Sequence, residues 1–493
     1  MSLWIAVHLP LLQLEAFRPN WLGEAPAVVF ERDRVSAVSA RARAAGVHEG
    51  MRRGGAQLRC PHAHWHERDP LRETALLDEA ALALLQYTPQ VTLAEDACVL
   101  LDVGASLRLF GGIRALCRKV RITIARLGLS AVLSCGVTAA GAWMLARYGY
   151  VRTVRATSMW RRLDRLPVAL LTAARPYLEW LHGLGVRRLG ELRRLPRPGL
   201  QRRCGKAVLE TMDQAYGEAL ELHNWIEAPP SFCARAELPD RIDHTDILVT
   251  YAQRLLAQLA GWLAARQLAV KQLRLLLEHE RGRQAVPPTE LVLALSVPAW
   301  QEEHLHALIK EKLSRSSLPA PAIAMSLAAG ALEAMEPASE LLFPEPGGSA
   351  EDHHRLIELL VARLGPEQVL QAAPRADHRP EVANRWCGVM QDAGALSAPL
   401  PADAGRLPPR PLWLLDEPVP LRLQRHKPWY RTPLEFASPP ERIEAGWWEG
   451  RPVTRDYFTV HDAHHVYYWI FRQWTGGEQP DQEPQWFLHG LFG

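Results

Sequence analysis

The sequence predicts an α+β multidomain protein. Three observations carry that expectation. Strand-like and helix-like segments alternate over residues 1–165. Composition then turns Arg-rich and helical over 166–235. A second strand-and-helix unit over 236–335 is followed by a Pro/Gly-rich break and an aromatic tail. A chain of 493 residues is too long for one core, and about three to five domains are expected. Apolar content of 48% and charged content of 23% are those of an ordinary soluble protein.

The chain is organised around Val91 to Val103. The second half of that run is apolar up to Asp102, and Gly104 closes it, which reads as a buried strand. Its expected partner is Leu3 to Leu9. Two such strands side by side frame a carboxylate-held metal pair, yet the N-terminal one has no acid before Glu15. Around them, Ala27 to Phe30 and Val35 to Ser39 read as strands, and Arg41 to Val47 as a turn. Leu71 to Tyr87 has helical spacing, with Leu76, Leu77, Leu84 and Leu85 on its apolar face. Ile113 to Leu127 is a second helix and Ala131 to Val137 a returning strand. The alternation implies a mixed sheet with helices on it.

From Arg161 to Lys206 there are eleven Arg and one Lys against Asp164, Glu179 and Glu191, a local net of +9. Only six of the 57 basic residues are Lys, so Arg bias is general, but the clustering exceeds it and marks a nucleic-acid face. Within it, Leu181 to Leu192 reads as two helices joined by a Gly-containing hairpin. Such a turn aims backbone N–H groups at a phosphate, or is an ordinary Gly-capped turn. The candidate DNA-binding residues are Gly183, Gly185, Arg187, Arg188, Gly190, Arg193, Arg194, Arg202, Arg203 and Lys206.

Over 236–335, helix Ile247 to Gln267, strands Leu273 to His279 and Glu290 to Leu295, helix Gln301 to Arg315 and strand Ile323 to Ala328 make a small two-layer unit. Pro337 to Ala350 is a break holding Ser339-Glu340-Leu341-Leu342-Phe343. That run reads either as a groove-docking peptide or as a linker packed on its own domain. His353 to Leu364 is a helix stopped by Gly365-Pro366. Regular structure is hard to assign from Arg375 to Pro440. In the tail, 446–448, 455–458, 467–471 and 486–488 read as short aromatic strands. Eight of 17 Trp fall after residue 380, as anchors of a partner-binding module or as a Trp-rich core.

Seven cysteines without a Cys-x-x-Cys pair fit a reducing cytoplasm and argue against a disulfide scaffold or zinc ribbon. No apolar run is long enough to span a membrane, and the N-terminus lacks a signal peptide's basic segment. His62, His64 and His66 would share one face of a strand, and imidazole suits zinc.

The order of units resembles the Y-family translesion DNA polymerases over 1–335. Over nearly the whole chain it resembles the ImuB-type mutagenesis proteins, which are polymerase-like but catalytically inactive. Leu101-Asp102-Val103 with Leu109-Phe110-Gly111-Gly112, Glu441 to Trp448, and Arg455-Asp456-Tyr457 carry that second resemblance. The implied plan is a right hand: palm and fingers over 1–165, with the palm split around fingers at about 11–75; a helix-hairpin-helix thumb over 166–235; a little finger over 236–335. A linker over 336–350 with a possible clamp peptide and a C-terminal partner-binding region over 351–493 follow.

Departures from the active enzymes fall at the chemistry. Aligned on Glu15, the first two catalytic Asp positions are Ala6 and His8, and the aromatic pair is Pro10 and Leu11. Aligned on Leu101-Asp102, the later Asp and Glu are Ala97 and Cys98. A nucleotide-contacting Tyr-x-x-Arg falls on Ala40 and Arg43, and a Leu-Ala-Lys run on Leu145-Ala146-Arg147, leaving Arg43 and Arg147 as vestigial nucleotide contacts. Nucleotidyl transfer needs two Mg²⁺ ions to clamp attacking and leaving oxygens. Mg²⁺ needs hard oxygen ligands. Ala6 and Ala97 offer none, and His8 and Cys98 are softer donors. A two-residue slip would bring Glu95 and Asp96 onto the same strand face, so an active polymerase using Glu95, Asp96 and Asp102 is the competing expectation. The histidine run sits where the family has an ordinary connector, so no metal site and no cofactor are expected.

The resemblance therefore implies a non-catalytic adaptor of bacterial DNA-damage-induced (SOS) translesion synthesis, cytoplasmic and nucleoid-associated, with no membrane. Its implied partners are primer–template DNA, the sliding β clamp through Ser339, Glu340, Leu341, Leu342 and Phe343, an error-prone C-family DNA polymerase and a RecA-like accessory protein. Ser339 stands where a clamp peptide usually has Gln, and Gly490-Leu491-Phe492 is a weaker rival. The expected partner-binding residues are Trp447, Trp448, Arg455, Asp456, Tyr457, Trp486 and Phe487.

Overall fold

A computed structural model describes residues 2–23, 25–149, 152–280, 286–335, 350–375, 377–389, 409–450, 452–474 and 484–492. The expected clamp peptide, 339–343, lies outside them. The chain divides into two compact units, 1–359 and 360–493.

The first unit is built on a four-stranded sheet in the order Val91–Ala94, Cys98–Asp102, Trp4–His8, Val132–Gly136. As expected, the N-terminal strand pairs antiparallel with Cys98–Asp102, Trp4 opposite Asp102 and His8 opposite Cys98. Its other edge pairs with Val132–Gly136. The run Val91 to Val103 is not one strand, however. It is a hairpin whose turn places Asp96 and Ala97 at φ of 56° and 53°, the left-handed geometry that tight hairpins demand.

Side-chain alternation along these strands builds two cores. Ile5, Val7, Val99 and Leu101 face the helices Pro70–Leu84 and Ile113–Arg126. Trp4, Ala6, Cys98 and Leu100 face the helix Ala139–Tyr148 and the helical segment that follows it. The helix expected over Leu71 to Tyr87 is Pro70–Leu84, and a cap fixes its start. Asp69 accepts the Leu71 and Arg72 amides, and Pro70 needs no amide partner. Leu76, Leu84 and Leu85 are buried there.

A three-stranded sheet, Arg34–Val38, Ala27–Glu31 and His64–Glu67, forms a separate small layer. The expected turn at Arg41 to Val47 begins as a short helix, Ala40–Ala44, capped by the Ser39 hydroxyl. Of the stretch 166–235 expected as mostly helical, 166–216 is built of short helices and 3₁₀ turns, whereas 217–232 carries no helix and a strand opens at Cys233.

The next sheet runs Thr289–Ala299, Leu268–His279, Ala322–Ala329, Cys233–Ile242, covered by the helices Thr245–Arg266 and Glu302–Arg315. Cys233–Ile242 was not expected as a strand. It begins inside the stretch read as helical, and Pro239 and Asp240 mask it, residues tolerated because this is an edge strand. The unit sits hard against the first sheet's helices. Gly261 lies so close to the Leu82 carbonyl that an added Cβ would stand 1.9 Å from its oxygen.

In the second unit, a hairpin Leu370–Pro374/Asn384–Gly388 accompanies an antiparallel sheet whose long strands are Trp413–Gln424, Gln485–Leu491, Tyr467–Gln473 and Val453–His461. Both faces bury apolar groups. Leu434, Val460, Ile470 and Leu488 form one cluster, and Tyr457, Trp469 and Phe471 belong to the other. Residues 446–448 are not a strand. Gly446 is left-handed, and Trp447–Glu449 is a single 3₁₀ turn. Gly490 and Leu491 are committed to a strand paired on both sides, so that rival clamp peptide is not a free tail. Among the described residues no helix is long and apolar enough to cross a membrane.

Candidate functional site

The corner where His8 meets Cys98 is where the polymerase resemblance puts its metal pair. Ala6 and Cys98 are fully buried there. The Cys98 thiol donates to the Asp96 carbonyl at 3.5 Å, and burial pushes its pKa up to about 12. Burial, then the nearby Arg147, hold the His8 imidazole below its ordinary value, while Asp96 opposes them. Both donors are therefore neutral at pH 7.

Arg147 supplies the positive charge. Its side chain is buried, and its Nη2 meets Asp96 Oδ2 at 2.5 Å. Its Nη1 donates to the Leu170 carbonyl at 2.6 Å, and its guanidinium lies 4.7 Å from the Trp143 ring centre. Arg175 reaches the same Asp96 oxygen at 2.7 Å. Trp143 Nε1 donates to the Glu95 carbonyl at 3.0 Å and pins the turn. A divalent cation here would meet alanine, a thiol, a neutral imidazole and an Asp96 carboxylate already held by two guanidinium groups, whose like charge repels it.

The competing acid set does not converge. Glu95 and Asp96 lie in the turn, so strand alternation does not carry them onto the sheet face. Asp102 closes the opposite end of Cys98–Asp102, about 13 Å away along the strand, and accepts the Gly104 amide at 3.0 Å. Glu15 is buried, with both oxygens on the Ser130 amide. Burial raises its pKa. Among the described residues no three His, Cys, Asp or Glu side chains stand close enough to hold a metal together. His66 stacks on Phe17 with ring centres 4.4 Å apart. Arg43 is exposed and paired with Glu49 at 3.1 Å.

The hairpin follows from its apolar spacing. Leu181, Val186, Leu189 and Leu192 are buried, and Gly185 turns the chain at φ +81°. The expected backbone phosphate cradle is already filled. The Arg187 and Arg188 amides donate to Glu191 Oε2 at 2.8 and 3.0 Å, which holds that carboxyl below its usual range. The helix after the turn, Leu189–Arg193, has only five residues. Gly190 packs on Asp164, whose carbonyl accepts its amide at 3.1 Å, and nothing stands within 4 Å of where a Cβ on Gly183 would lie.

The side chains separate into two groups. Arg187, Arg188, Arg194 and Arg202 are exposed and form no ion pair among the described residues. Arg203 lies over the Trp180 ring. Arg193 is paired with Glu218, and Lys206 with Glu210 at 2.7 Å.

In the tail, Trp447 and Trp448 are exposed, at 73% and 49%. Asp456 and Tyr457 are interior, contrary to a role in touching a partner. Arg442, Arg472 and Trp474 all donate to the Asp456 carboxylate, and hold its pKa far below the usual range. Tyr457 stacks on Trp469 at 4.0 Å and bonds His489 Nδ1 at 2.8 Å. Arg455 is paired with Glu381 at 2.9 Å. Trp486 and Phe487 are half-buried. Arg175 escaped sequence reasoning because it lies far from Asp96 along the chain.

Residues 11–147 match the impB/mucB/samB family. Protein ImuB of Caulobacter vibrioides, in strain NA1000 / CB15N and in strain ATCC 19089 / CIP 103742 / CB 15, is 28% identical over 470 residues, 91% of this chain and 100% of that protein. Among solved structures, a Dbh ternary complex and the insertion ternary complex of Dbh DNA polymerase are 16% identical, covering 66% of this chain and 98% of theirs, with a TM-score of 0.37. Along nearly its whole length the chain is thus similar to the ImuB-type proteins, and residues 11–147 match the impB/mucB/samB family.

Proposed function

We propose that the chain is a non-catalytic adaptor of bacterial translesion synthesis. The observation that carries this reading is the Arg147–Asp96–Arg175 cluster beside Ala6, His8 and Cys98. A fixed guanidinium stands where active relatives of this plan need divalent cations. In this reading residues 1–165 act as palm and fingers, 166–235 as thumb and 236–335 as little finger. Primer–template DNA is held by phosphates through Arg187, Arg188, Arg194, Arg202 and Arg203, without sequence preference. The linker 336–350 docks on the sliding clamp through Leu342 and Phe343. The region 351–493 recruits an error-prone C-family polymerase and a RecA-like accessory protein, with Trp447 and Trp448 as exposed anchors. The protein works in the cytoplasm, on the nucleoid.

Primer extension with Mg²⁺ or Mn²⁺ tests the central claim. No template-dependent incorporation is expected. Incorporation that Glu95→Ala abolishes would overturn the reading. Clamp pull-down tests the linker: Leu342→Ala/Phe343→Ala should lose the clamp, and unchanged recovery refutes that placement.

A further inference from the structure

From Val103 to Leu163 the sequence holds ten Arg and one Lys and no Asp or Glu. The helix Ile113–Arg126 lies in that stretch. Leu116, Cys117, Val120 and Ile124 bury its inner face. Arg114, Arg118 and Arg121, spaced by four and three residues, form one outward stripe. Lys119 flanks it with its ammonium over the Phe110 ring. All four are exposed. Arg114 and Arg118 meet no carboxylate among the described residues. Arg126, at the far end, is instead paired with Glu302 at 2.7 Å.

The position of this stripe matters as much as its charge. Its helix shares a core with Ile5, Val7, Val99 and Leu101. The Arg-rich helices of 178–216 share the other core, with Trp4, Ala6, Cys98 and Leu100. Those residues alternate along the same two strands, so the two basic surfaces lie on opposite faces of one sheet. With a helical layer on each face, about 20 Å of protein separates them, at about 10 Å between layers. One straight duplex cannot lie on both.

We propose that the Arg114–Arg118–Arg121 stripe is a second nucleic-acid site, binding the phosphodiester backbone of a segment other than the one held by the Arg187–Arg188 surface. Phosphodiester suits it better than a protein partner does. Protein interfaces centre on apolar or aromatic groups, and this stripe is guanidinium and ammonium, which match phosphate.

The test is stoichiometry on the full chain with a short blunt duplex, read by ultracentrifugation at low and moderate salt. Wild type should bind two duplexes. Arg114→Glu/Arg118→Glu should bind one, and so should Arg187→Ala/Arg188→Ala. Arg114→Gln/Arg118→Gln should weaken the second site about tenfold and lower its salt slope by about two. Unchanged circular dichroism and melting show that the variants fold. If wild type binds one duplex and only the Arg187/Arg188 variant loses it, the stripe is refuted. If the stripe variant alone loses it, the stripe stands and the first surface does not. Displacement of the second duplex by polyglutamate at equal charge would also overturn the proposal, in favour of an acidic protein.

Discussion

Arg147 and Asp96 meet at 2.5 Å across the turn between two strands of the central sheet. The contact joins a residue from the helix Ala139–Tyr148 to a left-handed position in the hairpin. Under the adaptor reading, it fills with protein charge a corner that an active enzyme would hold open for metal.

Removing that charge should be visible at His8. Arg147 helps to lower the His8 pKa, so Arg147→Ala should raise it towards the ordinary value near 6.5. Burial continues to act, so recovery is partial. The substitution also strips Asp96 of one of two cations and should cost about 2 kcal/mol. Imidazole NMR titration and urea denaturation measure both. A His8 titration that does not move would refute the coupling. Under the adaptor reading, Arg147→Ala should still yield no polymerase, because the Asp96 carboxylate stays paired with Arg175 and Ala6 offers no ligand.

His489 gives the second unit an acid sensitivity. Burial lowers its pKa to about 4. The folded state thus favours neutral imidazole, whose contribution is complete above pH 6.5 and is lost as pH falls through 4. Arg455 Nη1 donates to the Tyr457 hydroxyl at 3.1 Å, leaving that hydroxyl to donate to His489 Nδ1. A protonated ring would put a second N–H against that donor. Protection factors of residues 467–473 and 485–491, taken against the intrinsic exchange rate at each pH, should fall between pH 6 and 4, with a loss of up to about 3 kcal/mol. His489→Gln should flatten this dependence, and an unaltered profile would refute the assignment.

Much of the architecture was legible because it rests on local pattern. The apolar alternation of Trp4 to His8 and Cys98 to Asp102 identified the central pair. The spacing of Leu76, Leu77, Leu84 and Leu85 marked a helix, and Gly185 a turn. What was not legible depended on contacts distant in sequence. Nothing near Asp96 announces Arg175, and nothing near Asp456 announces Arg472 or Trp474. The hairpin at Asp96-Ala97 was missed because neither residue is glycine. Glu191 was counted only as one charge within the basic cluster. Its capture of two amides needed the geometry.

Asp456 and Trp447 should separate stability from recruitment. Asp456→Asn leaves Arg442 and Arg472 facing a neutral group and should cost the second unit about 3 kcal/mol. Trp447→Ala removes an exposed ring and should change stability by less than about 0.5 kcal/mol. Under the adaptor reading, only Trp447→Ala should weaken polymerase recruitment at full folded concentration. Melting curves and pull-downs, run on the same preparations, distinguish the two roles. Equal effects on both would refute the separation.

Glu191 allows a test of how the hairpin grips DNA. Its carboxylate accepts the Arg187 and Arg188 amides and adds a negative charge to this basic turn. If phosphates are held by side chains, that charge opposes binding and those amides take no part. Glu191→Gln keeps one acceptor for the amides and removes the charge. It should tighten primer–template binding a few-fold and steepen the salt dependence by about one counterion. Glu191→Ala removes the charge and frees both amides, at a stability cost of about 1 kcal/mol for the lost cap. An equal gain in the two variants means that the amides contribute nothing to the phosphate. A larger gain in Glu191→Ala means that a latent backbone cradle exists and that Glu191 keeps it closed. Fluorescence anisotropy at several salt concentrations measures the difference. No gain in either variant would remove DNA from this surface.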